Sequence, residues 1–341
     1  MASRIVSIIS IAIIVIAGGF IVNRLFLGHY DLASGETTIE TITIAQSQKE
    51  IMVTDGVRHS IPLDEILSGG PPKDGIPSID KPKFVSAAEA KQKLSWLTND
   101  DVGLALTFSG ISRFYPFDVL VWHEIVNDMI AGQRVLVTYC PLCYTAIVFD
   151  PVVQDERVEF GVSGKLWNSN LLMYDRKTDT LWSQVKAEAV VGEMTGTRLK
   201  VTPSDVTRFG IWKEQFPQGE VLTDETGTLR SYGGNPYADS YEGIQTFFPY
   251  SGTDSRLGPQ DIVLGIVIDG RARAYHDRAV ERAGSFIDEF AGKKFSVEWN
   301  DELHSVRIFE VQPDGSKVNA APVIGFWFSW VSSYQDTELF K

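Results

Sequence analysis

The order of apolar and polar positions divides the chain into an N-terminal apolar run and a long mixed region. Residues 5–22 (IVSIISIAIIVIAGGFIV) carry no charge and lie between Arg4 and Arg24. A run of this length without a polar face predicts a transmembrane helix rather than a buried core helix. A cleaved signal peptide is the alternative, but the run is longer than a usual signal core and no clear A-x-A site follows it. Both interpretations place the rest of the chain outside the cytosol.

The mixed region shows the short alternation that is typical of antiparallel strands. Apolar and polar residues alternate over five to seven positions, and turn residues separate one stretch from the next. The stretches are 102–108, 111–117, 134–139, 145–149 and 158–162.

Few helices are predicted. The stretch 87–97 (AAEAKQKLSWL) and the end of 204–216, just before Pro217, have the spacing and stop signals of short helices. We therefore expect an α+β fold, rich in β structure and mostly antiparallel, with an N-terminal transmembrane helix. Its parts are a membrane anchor at 1–28, a Thr- and Ser-rich stalk at 29–50, which could also add a single strand, and a single extracytoplasmic domain at 51–341.

The domain contains an internal repeat. Residues 110–140 align with 270–300 without a gap and share seven identities, which is more than composition explains. The shared pattern predicts two hairpin–helix–two-strand units at about 102–153 and 262–311, with the helices ending at Gly132 and Gly292. The identities are Gly110/Gly270, Arg113/Arg273, Tyr115/Tyr275, Asp128/Asp288, Ala131/Ala291, Gly132/Gly292 and Val137/Val297.

Composition narrows the functional classes. The 341 residues include two cysteines, too few for a disulfide framework. The net charge of −13 and the lack of a basic stripe argue against a nucleic-acid partner. No phosphate loop, dinucleotide fingerprint or H-E-x-x-H motif is present. The sequence identifies no protein partner, and the predicted contact with a membrane is through the N-terminal helix.

The sharpest chemical signal is the pair Cys140 and Cys143 in the motif CPLC, which follows a predicted strand. Two thiols at this spacing can act as a redox pair, hold a metal together or close a small structural disulfide. His123 lies nearby in WHEIVND, which we predict to be helical. In the second unit Asn300 stands in place of Cys140, Leu303 in place of Cys143 and Ala283 in place of His123. Because all three are absent there together, they are better functional candidates than the shared positions.

Cysteine and histidine ligands suit copper or zinc. We therefore expect Cys140, Cys143 and His123 to form a metal site, with Met173 and Asp175 as weaker candidate ligands. Asp128 is shared by both units, which favours a structural role for it. A polar stretch is expected to line a pocket beside the site. Its residues are Asn168, Ser169, Asn170, Trp182 and Gln184.

Taken together, these motifs resemble an uncharacterised prokaryotic family, the domain of unknown function 3179, from about residue 69 to 340. The resemblance implies an exported or membrane-anchored protein and supplies no activity. Relatives carry His-Pro near the position of Tyr334 and Gln335, so a site that used that histidine would differ here. The matching motifs are 69–77 (GGPPKDGIP), 122–128 (WHEIVND), 140–143 (CPLC), 161–164 (GVSG), 168–169 (NS), 173–176 (MYDR), 181–184 (LWSQ) and 326–328 (FWF).

The sequence thus predicts a single-pass membrane protein whose globular part binds copper or zinc outside the cytoplasm. Whether it is an enzyme, and which residues would then be catalytic, is left open. One alternative is a thiol–disulfide oxidoreductase that uses the CPLC pair, although no thioredoxin-like βαβ pattern surrounds it. Another is a scaffold or binding module with a structural disulfide. Metal content and thiol state distinguish the three.

Overall fold

The computed structural model describes residues 35–44, 47–234, 236–237 and 248–341. Strands predominate and nearly all of their pairings are antiparallel, so the expected β-rich α+β class is confirmed. The apolar run at 5–22 lies outside the described residues, and so does the transmembrane helix predicted there. Within the described ranges no helix is long and apolar enough to cross a membrane.

The N-terminal part consists of short strands, a 3-10 turn (Leu63–Glu65) and one turn of helix. The elements are β1 (Thr37–Ile44), β2 (Ser47–Thr54), β3 (Val57–His59), β4 (Leu67–Ser68), β5 (Phe84–Ser86) and α1 (Ala90–Lys93). The alternating Thr and Ile residues within the predicted stalk at 29–50 form the edge strand β1, paired with β2, which agrees with the alternative of an added strand. One expectation needs correction here. The helix predicted at 87–97 is only α1, because turns flank it on both sides.

The next segment is the first part of unit 1. It consists of a hairpin, one turn of helix and a three-stranded meander, and the remaining elements of unit 1 follow after an insertion. Its first elements are β6 (Val102–Phe108), β7 (Ile111–Pro116), α2 (Phe117–Leu120), β8 (Ile125–Ile130), β9 (Gln133–Cys140) and β10 (Thr145–Asp150). An insertion follows, with β11 (Val152–Val153), β12 (Glu156–Arg157), β13 (Phe160–Trp167), β14 (Asn170–Asp175), β15 (Leu181–Ser183) and β16 (Glu188–Val191). Unit 1 ends with β17 (Lys200–Thr202), β18 (Asp205–Arg208), α3 (Phe209–Gln215) and β19 (Glu220–Leu222).

Unit 2 occupies the C-terminal part. Its elements are β20 (Ile262–Ile268), β21 (Arg271–His276), α4 (Asp277–Ala283), β22 (Phe286–Phe290), β23 (Lys293–Asn300), β24 (Ser305–Val311), β25 (Lys317–Asn319), β26 (Val323–Phe326), α5 (Trp327–Ser333) and β27 (Glu338–Phe340). The sheets run β1-β2-β3-β16-β15-β14-β13-β4, β27-β21-β20-β26-β10-β9-β8, β18-β6-β7-β19-β5 and β22-β23-β24-β25, with β17 on β10 and a small β11-β12 ribbon.

The two units have the same order of elements and the same strand register. The bounds of β6, β7 and β9 recur 160 positions later, and the pairing of Leu104 with Tyr115 recurs as Leu264 with Tyr275. The bounds of β18, α3 and β19 recur 118 positions later as β26, α5 and β27. The difference of 42 residues lies between β10 and β17, where unit 1 carries the insertion.

The predicted hairpin–helix–two-strand topology is wrong in one respect, because each unit has three strands after a shorter helix. The motif 122–128 is not helical: α2 ends at Leu120, and Ile125 begins β8. Ile125 and Val126 are β-branched and buried, and they pair with β9, so tertiary pairing decides the conformation. Neither helix reaches Gly132 or Gly292, which instead lie in β-hairpin turns with positive φ.

The units contact each other reciprocally. In unit 2, β26 pairs with β10 of unit 1, and the backbone N–H of Phe326 donates to the carbonyl of Cys143 at 2.9 Å. In unit 1, the Thr207 hydroxyl of β18 donates to the carbonyl of Leu303 at 2.6 Å. Leu303 is the residue of unit 2 that corresponds to Cys143, since it lies 160 positions later in the chain. The CPLC turn therefore lies at the junction between the units.

Candidate functional site

The two cysteines occupy the turn that joins β9 to β10. Cys140 ends β9 and is paired with Thr145, the first residue of β10. Tyr144 closes the turn with φ 55°, and the same position in unit 2, His304, has φ 49°. The turn is therefore a feature of both units, whereas its two thiols belong to unit 1 alone.

Both thiols are free and fully enclosed. Cys140 is 1% exposed and Cys143 is 0% exposed, and no disulfide joins them. They lie in an apolar cluster formed by the meander of unit 1, the insertion and α5. Polar side chains from each of these parts reach into that cluster, and they converge on Cys143.

Cys143 is surrounded by hydrogen-bonding groups from separate elements. Asn170 of β14 donates from Nδ2 to the Cys143 sulfur at 2.9 Å. Thr145 Oγ1 lies 3.2 Å from that sulfur and 2.6 Å from Oε1 of Gln184, so its one proton is available to either acceptor. Ser329 of α5 lies beside the sulfur, but its hydroxyl makes no hydrogen bond within the described residues. Polar groups on two elements, β14 and β10, thus stabilise negative charge at one buried atom.

The two thiols differ in acidity. Burial acts to raise the pKa of Cys143, but the neighbouring polar groups of Cys140, Thr145 and Asn170 outweigh it, and the net effect lowers the pKa. Burial raises the pKa of Cys140 well above its ordinary value, and the neighbouring Cys143 and Glu124 act in the same direction. Cys143 is therefore the more acidic of the two thiols.

Glu124 is an acidic side chain buried beside this pair. It is 9% exposed, and it makes no hydrogen bond or ion pair through its carboxyl group within the part of the chain that the structure describes. Burial and then the charge of Cys143 raise the pKa of Glu124 to about 8. Its carbonyl accepts a hydrogen bond from the backbone N–H of Tyr139 at 2.8 Å, which fixes it next to Cys140.

The backbone at Glu124 is strained. Its φ is 57°, a region that glutamate rarely adopts, and the aligned residue of unit 2 is Gly284 with φ 70°. Strain of this kind is found at functional sites, where a side chain is kept despite the cost. The sequence analysis did not single out Glu124, Thr145 or Ser329. The available signal was a glutamate aligned with a glycine in the second unit.

His123 does not join the thiols. Its Nδ1 lies 2.7 Å from the carbonyl oxygen of Pro77 and its Nε2 lies 2.8 Å from the hydroxyl of Tyr232, whose ring stacks on the imidazole. Both ring nitrogens are therefore occupied. Burial is the main effect on its pKa, which is lowered. These contacts give His123 a structural role, because they join the loop that contains Pro77 to the segment that contains Tyr232.

The weaker candidate ligands are also occupied. Asp175 accepts hydrogen bonds from the backbone of Lys177 and Thr178 and from the indole of Trp182. Met173 is fully buried in the apolar cluster of the cysteines. Over the described ranges no three His, Cys, Asp or Glu side chains form a group that could hold a metal ion. The predicted set of ligands is therefore not assembled.

The residues expected to line a pocket fall into two groups. Asn170 and Gln184 belong to the Cys143 network, and Gln184 also donates to Thr138 Oγ1 at 2.9 Å. Asn168 and Ser169 form the β13–β14 turn, with φ of 51° and 62°. Asn168 accepts from the backbone N–H of Ser251 at 2.7 Å, and the Ser169 carbonyl lies 3.9 Å from the Cys140 sulfur.

Tyr334 lies close to this network. Its hydroxyl donates to the carbonyl of Val185 at 3.4 Å. The backbone N–H of Val185 donates to Oδ1 of Asn170 at 3.2 Å, and Asn170 bonds to Cys143. A change at this position therefore reaches the thiol through two intervening groups.

Comparison with known proteins gives one match. The family model described as "Protein of unknown function (DUF3179)" matches residues 73–337. No curated protein and no solved structure matches the chain. The matched range contains every residue of the Cys143 network.

Proposed function

We propose that this chain, which belongs to the DUF3179 family of proteins of unknown function, carries out thiol–disulfide exchange at Cys140 and Cys143. The observation that carries the proposal is the asymmetry of the pair: polar groups on β14 and β10 contact the Cys143 sulfur and the pKa of Cys143 is lowered, whereas the pKa of Cys140 is raised. A thiolate next to a protonated partner thiol is the arrangement that disulfide exchange requires.

In the first step, the Cys143 thiolate attacks one sulfur of a substrate disulfide RS–SR′. The bond between Cys143 and SR forms, the substrate S–S bond breaks, and R′S⁻ leaves with the bonding electron pair. Protonated Glu124 supplies the proton that converts R′S⁻ to R′SH. Its raised pKa keeps it protonated at neutral pH until this step.

In the second step, Cys140 transfers its proton to the Glu124 carboxylate and its sulfur attacks Cys143. The Cys140–Cys143 disulfide forms and RS⁻ leaves. The substrate gains two electrons, and the cysteine pair loses two. The mixed disulfide carries no charge at Cys143, so Glu124 ionises more easily at this stage than in the resting pair.

Burial of both sulfurs means that exchange proceeds through local opening. Residues 248–251 pack on the 168–169 turn through Ser251 N–H to Asn168 and Ser169 Oγ to the carbonyl of Phe248. We place substrate access at these two contacts, because the turn covers the Cys140 sulfur. A small alkylating reagent should therefore react faster than a bulky one.

The test uses the full-length chain in detergent, equilibrated in glutathione buffers of graded redox potential. Thiols are trapped with iodoacetamide and counted by mass spectrometry. We expect one reversible two-electron transition, and a mixed disulfide between Cys143 and glutathione that accumulates in Cys140→Ser. Cys143→Ser should form no such adduct at Cys140. A pair that stays reduced throughout, or stays closed throughout, contradicts the proposal.

A copper or zinc site remains the competing proposal, and a scaffold with a structural disulfide is the third. Metal analysis of the same preparations separates them. Stoichiometric metal that is lost in His123→Ala supports the metal site, whereas metal-free protein with a titratable pair supports exchange. A permanently closed disulfide supports the scaffold. The contacts of His123 with Pro77 and Tyr232 count against the metal site.

We also infer that units 1 and 2 arose by duplication, with the insertion added to unit 1. The support is the shared element bounds and strand registers. The insertion supplies Asn170 and Gln184, and unit 2 supplies Ser329, so the thiol site depends on all three parts. In unit 2 the corresponding turn has Asn300 and Leu303 and carries no thiol.

The N-terminal run supports the remaining part of the proposal, a single-pass anchor with the globular part outside the cytoplasm. Residues 5–22 are uncharged and long enough to span a bilayer. Thiol exchange suits that location, because disulfides form and persist outside the cytosol.

A further inference from the structure

A cavity of about 320 Å³ lies between the two units, and nothing in the thiol chemistry uses it. We propose that this inter-unit cavity binds a small uncharged amphipathic molecule, with an apolar body and a head group that carries a hydroxyl or an amide. The proposal is independent of thiol exchange, since it rests on the lining of the cavity alone.

Equivalent positions of both units line the cavity. Val102 and Ile262 are 160 positions apart, and so are Tyr144 and His304. The contacts between the units are reciprocal, so the cavity lies where the two units face each other. A molecule in the cavity therefore contacts both units at once.

One end of the cavity is apolar. Ala146, Ile324 and Leu264 are directly paired on the adjacent strands β10, β26 and β20, so their side chains share one sheet face. Ile262 and Ile324 are only half-buried although they lie between the units. The cavity accounts for this, because their side chains border open space there. Apolar surface of this kind favours an apolar ligand.

The other end is polar and nearly balanced in charge. Asp205 lines it and is neutralised by Arg307, which binds it through two nitrogens at 3.0 and 2.7 Å. His304 also lines this end, and its imidazole makes no hydrogen bond within the described residues. Asp277 is half-buried there, whereas the side chain of Arg208, which also lines the cavity, is 62% exposed to solvent and its guanidinium lies 3.9 Å from Asp100. An imidazole and a carboxyl group together offer a donor and an acceptor, which suits a neutral head group.

The volume sets the size of the ligand. An engineered apolar cavity of about 150 Å³ holds one benzene molecule, so this cavity accommodates about two fused rings. The probe that matches both ends is 2-naphthol, which has two rings and one hydroxyl group. The matched charged probe is 2-naphthoate, whose carboxylate would lie near the acidic group of Asp277.

The test is calorimetric titration of the full-length chain in detergent with 2-naphthol. We expect saturable binding to one site, with 2-naphthoate bound about tenfold more weakly or worse. Ile211→Trp fills the rim of the cavity, and Ala146→Leu fills its apolar end. Each should weaken 2-naphthol binding about tenfold, whereas Ala283→Leu, on an exposed position of α4, should leave it unchanged.

Two outcomes overturn the proposal. One is the absence of saturable 2-naphthol binding to the folded chain, and the other is unchanged binding in the filled variants that fold. Ile211 is half-buried at the rim, so Ile211→Trp keeps the test valid if Ala146→Leu fails to fold. His304→Asn keeps a residue that tolerates positive φ and should reduce the preference for 2-naphthol over 2-naphthoate.

Discussion

Asn170 lowers the pKa of Cys143 because it donates directly to the sulfur from a fixed position. Its amide is held by a second contact, in which Oδ1 accepts the backbone N–H of Val185. A hydrogen bond to a charged group contributes roughly 1.5–3 kcal/mol. Part of the lowering of the Cys143 pKa should therefore depend on this one amide.

We expect Asn170→Ala to raise the pKa of Cys143 and to slow its alkylation at pH 7 by about tenfold, since 1.4 kcal/mol corresponds to one pKa unit. The measurement is the pH profile of iodoacetamide labelling in a Cys140→Ser background. Thr138→Val is the matched control, because its hydroxyl belongs to the same buried network and contacts Gln184 rather than a sulfur. An unchanged profile in Asn170→Ala would show that the other donors suffice.

The raised pKa of Glu124 makes the free energy of unfolding depend on pH. Its pKa is about 8 in the folded chain, against an ordinary value of 4.5. Between these values the unfolded chain has released its proton and the folded chain has not. The contribution of Glu124 to stability is therefore fully present below about pH 4.5 and is lost as the pH rises toward 8, by up to about 1.4 kcal/mol per pH unit.

We expect Glu124→Gln to remove this slope, so that the variant gains stability relative to the original chain as the pH rises from 5 to 8. Urea unfolding at pH 5, 6, 7 and 8 measures the difference. Glu281→Gln, at an exposed position, should leave the slope as it was. Parallel curves for the original chain and Glu124→Gln would mean that Glu124 is ionised in the folded state.

At the scale of elements, one buried ion pair joins each hairpin to its meander. Asp128 on β8 accepts from Arg113 and from the hydroxyl of Tyr115 on β7, both at 2.6 Å. In unit 2, Asp288 accepts from Arg273 and Tyr275 in the same way. The seven identities shared by the units include these positions because the pair fixes one strand against the next.

Loss of the carboxylate should therefore destabilise each unit. We expect Asp128→Asn to cost about 3 kcal/mol, since the Arg113 charge is left partly unpaired in a buried place. The same change at Asp288 should cost less, because its side chain is 15% exposed whereas that of Asp128 is 3% exposed. Urea unfolding gives both values. Tyr115→Phe, which removes one hydrogen bond, should cost about 1 kcal/mol.

At the scale of the whole molecule, the thiol site depends on how the parts are joined. The CPLC turn comes from unit 1, Asn170 from the insertion and Ser329 from unit 2. The three lie far apart in the sequence, and the reciprocal contacts between the units bring them together. The proposed anchor at 1–28 would attach these joined parts to a membrane.

We expect the full-length chain to stay in the membrane fraction during alkaline carbonate extraction and to be released by detergent, because the proposed anchor contains an apolar run of 18 residues, which is long enough to span a bilayer. A variant without residues 1–28, exported through a cleavable signal, should be recovered in soluble form. N-terminal sequencing is the check on processing. A mature N-terminus near residue 28 would replace the anchor with a cleaved signal.

The sequence by itself determined the class of fold, the approximate limits of four strands in unit 1 and the CPLC pair as the candidate site. Alternation and turn residues are local properties, so they locate β6 and β10 without knowledge of the fold. The comparison between the units also separated Asp128, which both units need, from Cys140 and Cys143, which only unit 1 has.

Only the tertiary structure decided the strand at 125–130 and the surroundings of the thiols. The segment 122–128 has no strong local preference, and it becomes a strand because β9 pairs with it and buries Ile125. His123 lies close to the cysteines in sequence, but the turn before β8 directs its ring toward Pro77 and Tyr232. Ser329 lies beside the pair although it is remote from it in sequence, and no local pattern records such a contact.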